Sequence, residues 1–144
     1  VFKSILVGTD GSETADGALT RAADLADALG ARLHLVSAYE PAAARLGGRQ
    51  PVPEASEWSL GPDYKVDAVL DRAGGRVRKE GLEVEVHARK GDPADVILRI
   101  AAEVKADLIV LGSKGMHGAR RVLGSVPNKV SHNAGCDVLI VRTD

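Results

Sequence analysis

Apolar positions along this chain follow two patterns that alternate from one end to the other. Ser4-Ile5-Leu6-Val7 is a short β-rich run and predicts a first strand, ending in the loop Gly8-Thr9-Asp10-Gly11-Ser12. Ala18, Ala22, Leu25, Ala26 and Leu29 then recur at helical spacing, with Gly30 placed to stop the helix. Leu33 to Tyr39 predicts a second strand, Lys65 to Glu80 a second helix closed by Gly81, and Leu82 to His87 a third strand. Asp92 and Pro93 suit the N-cap and first position of a third helix, whose buried stripe is Ile97, Ile100, Ala101 and Val104. Asp107 to Leu111 predicts a fourth strand, Ser125 caps a short fourth helix, and Val138 to Val141 is the last strand.

Strands that alternate with helices require βαβ crossovers, so the expected fold is a single α/β domain over residues 1–144. Its core is an open, parallel, five-stranded Rossmann-like sheet with helices on both faces. The patterns also suggest the strand order. Leu6-Val7 and Leu108-Ile109-Val110-Leu111 are apolar without alternation, as central strands buried on both faces should be. Glu83-Val84-Glu85-Val86-His87 alternates strictly, which marks an edge with one wetted face. The order 3-2-1-4-5 meets these conditions and makes strands one and four neighbours. Right-handed crossovers then diverge between those two strands and leave a crevice at their carboxyl ends, where ligands bind in open α/β sheets.

Composition narrows the function classes. With 44% hydrophobic and 27% charged residues the chain is ordinarily globular, and with 3% aromatics its core must rest on Val, Leu, Ile and Ala. A formal net charge of -1 gives no electrostatic case for nucleic acid or an anionic membrane. The one cysteine, Cys136, excludes an internal disulfide. No signal-peptide pattern and no membrane-spanning apolar stretch is present, so a cytoplasmic location is expected. The four histidines share no recognisable metal-binding spacing: His34 and His87 read as strand residues, His87 outward, and His132 as a helix-end residue.

The segment GSKGMHGARRVLGS, residues 112–125, follows the fourth strand and leads into the last helix. Glycines permit positive φ and close approach of a ligand to the backbone. Successive N–H groups and the positive end of a helix then form an anion cradle. Phosphate is the natural occupant. Neither the Walker spacing GxxxxGK[ST] nor the dinucleotide GxGxxG is present. A glycine-rich loop by itself is equally a flexible connection; its position opposite the Asp10 loop favours binding. Lys114, Arg120 and Arg121 form a basic cluster suited to phosphate charge. Asp10 suits a ribose hydroxyl or a phosphate-bound metal, and equally a turn ahead of Gly11.

The chain resembles the universal stress proteins over nearly its whole length. The likeness lies in ILVGTDGS, LHLVSAYEP, KGDPADVIL, ADLIVLGSKG and GARRVLGSVPNKVSHNAGCDVLIV. Nucleotide-binding members of that family carry G-x2-G-x9-G-[ST]. Here Gly112-x2-Gly115 is present, and eight residues precede Gly124-Ser125. The resemblance implies an adenine nucleotide, ATP or another, with Mg2+ as an accompanying ion. It places Gly8, Thr9 and Asp10 near adenine and ribose, and Ala38 beside the base. Gly112, Ser113, Gly115, Gly124, Ser125 and Val126 surround ribose and phosphates, with Lys114 and Gly118 in the intervening loop.

Three functions follow for comparison. The first is a nucleotide-binding module acting in a stress response. The second is a slow ATP hydrolase or phosphotransfer enzyme, for which no placed base or Walker-type magnesium site is visible. The third is a nucleotide-free dimeric interaction protein. A homodimer is expected because Val138, Leu139, Ile140 and Val141 would form an unalternating, hydrophobic edge that needs a cover, and because the family resemblance points the same way. Residues 40–63 contain Pro41, Pro51, Pro53 and Pro62 with little periodicity, and read as a lid or mobile connection in which Trp58 anchors the loop.

Overall fold

The computed structural model describes residues 1–10, 13–39, 62–113 and 123–142. Its elements are β1 (Ser4–Gly8), α1 (Glu13–Leu29), β2 (Arg32–Tyr39), α2 (Pro62–Lys79), β3 (Val84–Lys90), α3 (Pro93–Glu103), β4 (Leu108–Gly112), α4 (Ser125–Asn133) and β5 (Asp137–Val141). The sheet is parallel throughout, in the order β3-β2-β1-β4-β5. The connection at 40–61 and the glycine loop at 114–122 lie outside the described residues, Trp58 with them.

Alternation across each strand divides the core into two layers. Ile5, Val7, Leu33, Leu35 and Val110 face α1 and α2, where Leu19, Ala22, Leu70 and Val77 meet them. Leu6, Val36, Ile109 and Leu111 face α3 and α4, against Ile97, Ile100 and Val130. Ile5, Leu6 and Val7 are wholly buried, which is what an unalternating apolar strand at the centre of the sheet demands. The small side chains Ala18, Ala22, Ala23 and Ala26 allow α1 to lie close on this layer. Gly30, at φ +67°, ends α1 in the left-handed region, and the N–H of Ala31 donates to the carbonyl of Ala26.

The sequence expectations need adjustment at several ends. β3 begins at Val84 and runs to Lys90, later than the alternating run at 82–87. Leu82 still belongs to the turn after α2, its N–H reaching the carbonyl of Val77, and Ala88, Arg89 and Lys90 pair with Ser37, Ala38 and Tyr39. An edge strand that is polar on both sides at its end shows no apolar alternation there. Leu29 is exposed rather than part of the buried face of α1. Val104 is the C-cap of α3, and α2 begins at Pro62. Cys136 is partly buried against the α3–α4 layer, and burial raises its thiol pKa. Asp92 is the N-cap of α3, its carboxylate accepting from the N–H of Asp95 at 3.2 Å, with Pro93 next, as the sequence suggested.

Candidate functional site

Four segments converge at the carboxyl ends of the central strands. β1 and β4 are neighbours, yet the chain leaves β1 toward α1 on one face and leaves β4 toward α4 on the other. Between them a cavity of about 440 Å3 opens. Gly8, Thr9 and Asp10 form one wall and Gly112, Gly124, Ser125 and Val126 the other. Val36, Ser37 and Ala38 of β2 supply the floor, and Pro93 and Ile97 of α3 close one side.

Gly8 is a glycine for a definable reason. A Cβ there would lie 3.0 Å from Leu111 Cδ2 and 3.1 Å from Ile97 Cδ1. Two cavity-lining side chains therefore occupy the space that any other residue at position 8 would claim. The N–H of Thr9 donates to the carbonyl of Val36 at 3.0 Å, extending the β1–β2 ladder one residue past the strand and fixing the start of the loop. Thr9 is buried and Asp10 exposed.

The helix termini around the cavity are tied together. α4 starts with Gly124 as N-cap (φ −61°, ψ 161°) and Ser125 as the first helical residue. The N-cap is Gly124 rather than Ser125, so the expected cap is displaced by one position and brings no side-chain cap of its own. Gly124 fits because its backbone is extended and adds no bulk at the cavity wall. The first-turn N–H groups of α4 consequently have no side-chain acceptor from the N-cap, and an anion there would meet donors and the positive helix end. Lys129 in the middle of α4 reaches Asp95 Oδ1 at 2.9 Å and Asp92 Oδ2 at 3.5 Å, joining α4 to the start of α3. The bond to Asp95 raises the Lys129 pKa.

Of the residues singled out from the sequence, Gly8, Thr9, Asp10, Ala38, Gly112, Gly124, Ser125 and Val126 line this one cavity. Ser113 is buried just beyond β4 and is not in the lining; its N–H bonds to the carbonyl of Val141 at 2.9 Å. Lys114, Gly115 and Gly118, with Arg120 and Arg121, lie outside the described residues. Sequence reasoning missed Ala15, Val36, Ser37, Pro93, Ile97, Leu111 and Pro127. Val36 follows from Ala38, because residues two apart on a strand share a face. Pro93 and Ile97 join only through the crossover that lays α3 over β2. A wider depression of about 760 Å3 lies at the other end of the sheet, along the amino ends of β2 and β3. Its rim mixes Asp27, Glu83 and Glu85 with Arg32 and Arg78, so it offers no convergent chemistry. Among the described residues, no group of three or more His, Cys, Asp or Glu side chains is arranged to hold a metal, and no helix is long and apolar enough to cross a membrane.

Comparison with known proteins agrees with this architecture. The model of the universal stress protein family matches residues 2–142. A universal stress protein of Mycobacterium tuberculosis H37Rv is 39% identical over 150 residues, covering 99% of this chain and 97% of its own. A universal stress protein solved in complex with cAMP is 34% identical, with a TM-score of 0.75 over 99% of this chain and 98% of that one. The Archaeoglobus fulgidus universal stress protein solved in complex with dAMP is 27% identical, with a TM-score of 0.72 over 97% and 98% of the two chains. This chain belongs to the universal stress protein family.

Proposed function

We propose that this protein binds an adenine nucleotide, ATP in the first instance, in the cavity between β1 and β4, and serves a stress response as a binding and signalling module. The observation that carries the reading is the meeting of four separate segments at one cavity whose chemistry is graded. Its floor and one side are mostly apolar, through Val36, Ala38, Pro93 and Ile97, and suit a base. The far wall ends at the start of α4, which suits phosphate. A volume of about 440 Å3 falls inside the range of roughly 300–1,000 Å3 typical of small-molecule sites. Relatives solved with cAMP and with dAMP support the adenine class. Gly8, Thr9, Asp10 and Ala38 are assigned to base and ribose. Gly112, Gly115, Gly124, Ser125 and Val126 are assigned to ribose and phosphates, with Lys114 and Gly118 in the loop between and Ser113 buried just behind Gly112. Mg2+ would accompany a triphosphate, and a cytoplasmic location fits the role.

Mass spectrometry of the denatured, purified protein tests this by reporting any co-purified nucleotide. Calorimetric titration with ATP, AMP and cAMP then ranks the ligands. Absence of binding for all three overturns the proposal.

The same reading includes a homodimer through β5. Val138 and Ile140 pack partly against the α3–α4 layer and Leu139 against the other, so the edge is apolar on both faces and only half covered. A two-fold partner pairing along this strand would satisfy its ladder groups. Light scattering should give the dimer mass. Ile140→Pro, which removes a ladder donor, should yield monomer or aggregate, and a stable wild-type monomer at micromolar concentration rejects the interface.

A further inference from the structure

We propose that His34, His87 and Glu85 form a proton-operated latch that fastens the edge strand β3 to β2 at neutral pH and releases it in acid. His34 is a buried imidazole, 3% exposed, in the second strand of an otherwise aliphatic layer. The parallel register sets it beside Glu85, and His87 follows on the same face, opposite Val36. His34 Nδ1 lies 3.2 Å from His87 Nε2 and 3.5 Å from Glu85 Oε2, with the two ring centroids 5.3 Å apart.

This geometry counts protons. When both rings are neutral, one nitrogen donates to the other's lone pair. A first added proton keeps that N–H···N contact and adds attraction to Glu85. A second proton places two N–H donors face to face at 3.2 Å, with no lone pair between them. The surrounding charges sharpen the response. Arg32 of β2 and Arg89 of β3 face the pair from one sign, Glu85 of β3 and Glu103 of α3 from the other. Arg89 is itself 3.9 Å from Glu103. Burial, the largest influence on both rings, holds their pKa values below 6.5.

The unfolded chain therefore binds more protons than the folded one just below pH 6.5. The stability contributed by the neutral pair is complete above that value and is lost as pH falls through the folded-state pKa values. The loss is local because β3 is, among the described residues, an edge paired on one side only. Opening it disturbs what β3 feeds: Gly91, whose N–H bonds to Tyr39 at 2.7 Å, then Asp92 and the first turn of α3.

The full chain is tested by NMR of the histidine ring nitrogens and by amide hydrogen exchange. The two rings should titrate as a coupled pair, in two steps below 6.5. Protection factors of β3 amides should fall about tenfold or more relative to β1 and β4 between about pH 7.5 and 5. His87→Gln, at a half-exposed position, retains a hydrogen-bonding side chain without the charge and should hold β3 protection constant over that range. Independent titration of both rings near 6.5 overturns the latch, as does parallel loss of protection in β1 and β3, or an unchanged pH response in His87→Gln. If that variant does not fold, ring titration of the unsubstituted protein decides alone. Nucleotide is absent throughout, so the outcome is independent of the binding reading.

Discussion

The two ends of the sheet are built from the same strands and are finished in opposite ways. At the amino ends, backbone and side-chain bonds lace the strands together. The Asp107 carboxylate accepts from the N–H groups of Lys3 at 2.9 Å and Ser4 at 3.0 Å, and the N–H of Asp107 returns a bond to the carbonyl of Ser4. Arg32 donates its N–H to Lys3, so β2 is joined to the same knot. At the carboxyl ends, β1 and β4 finish in Gly8 and Gly112 and their chains part around a cavity. The β1–β4 ladder holds the two strands in register up to the cavity, and the knot at the amino ends of β1, β2 and β4, the closed end, adds to it. Substitutions at the open end should therefore act chiefly on binding, and those at the closed end chiefly on stability.

The largest expected effect is at Gly8, where the two roles meet. Gly8→Val places a Cβ against Leu111 and Ile97 and pushes both into the cavity. Overpacking of this kind costs about 1–3 kcal/mol, and nucleotide affinity should fall by at least about tenfold. Denaturant unfolding and calorimetric titration check the two halves. Full stability together with full affinity would mean that β1 and α3 do not close on each other as described.

Gly124→Val separates the roles more cleanly. Its backbone, at φ −61° and ψ 161°, is open to any residue, so no strain is expected. Replacing the N-cap costs up to about 1 kcal/mol, whereas the new side chain stands at the wall assigned to phosphate and should weaken binding about tenfold. Affinity within twofold of wild type would remove that wall from the site.

The extent to which the sequence foretold this division follows the physics of each feature. Central strands were legible because burial on both faces leaves an unmistakable apolar run, as in Ile5-Leu6-Val7 and Leu108 to Leu111. The α3 start was legible because Asp92-Pro93 satisfies local geometry by itself. Eight of the selected site residues, including Gly8, Gly112 and Gly124, line the cavity because glycine and loop position are local signals. Ile97 and Pro93 were not legible, since their role depends on how α3 crosses the sheet. The same holds for His34 and His87, separated by 53 positions and brought together only by the β2–β3 register. Read alone, His87 was an outward strand residue; in place it is half-buried against a ring nitrogen. Asp107 read as the first residue of a strand and is instead a side-chain clamp on its neighbour.

That clamp gives the smallest of the expected effects and the clearest test of the closed end. Asp107→Asn removes the charge and turns one accepting oxygen into a donor that faces an N–H, so a bond to Lys3 or Ser4 is lost. The site is partly exposed, which limits the cost to about 1 kcal/mol. Hydrogen bonds from Lys3 and Ser4 hold the Asp107 carboxyl below its ordinary value of 3.8. Below that value the unfolded chain takes up the proton first. The contribution is therefore complete above pH 3.8 and is lost as pH falls through the folded-state value. Wild type and variant should differ at neutral pH and converge in strong acid. The histidine latch does not confuse this comparison, because both proteins carry it. Nucleotide affinity at neutral pH should stay within about twofold, since Asp107 sits at the opposite end of β4 from Gly112. A stability difference that persists unchanged into acid would show that the carboxylate is not the group that closes this end, and a large loss of affinity would show that the two ends are not separable.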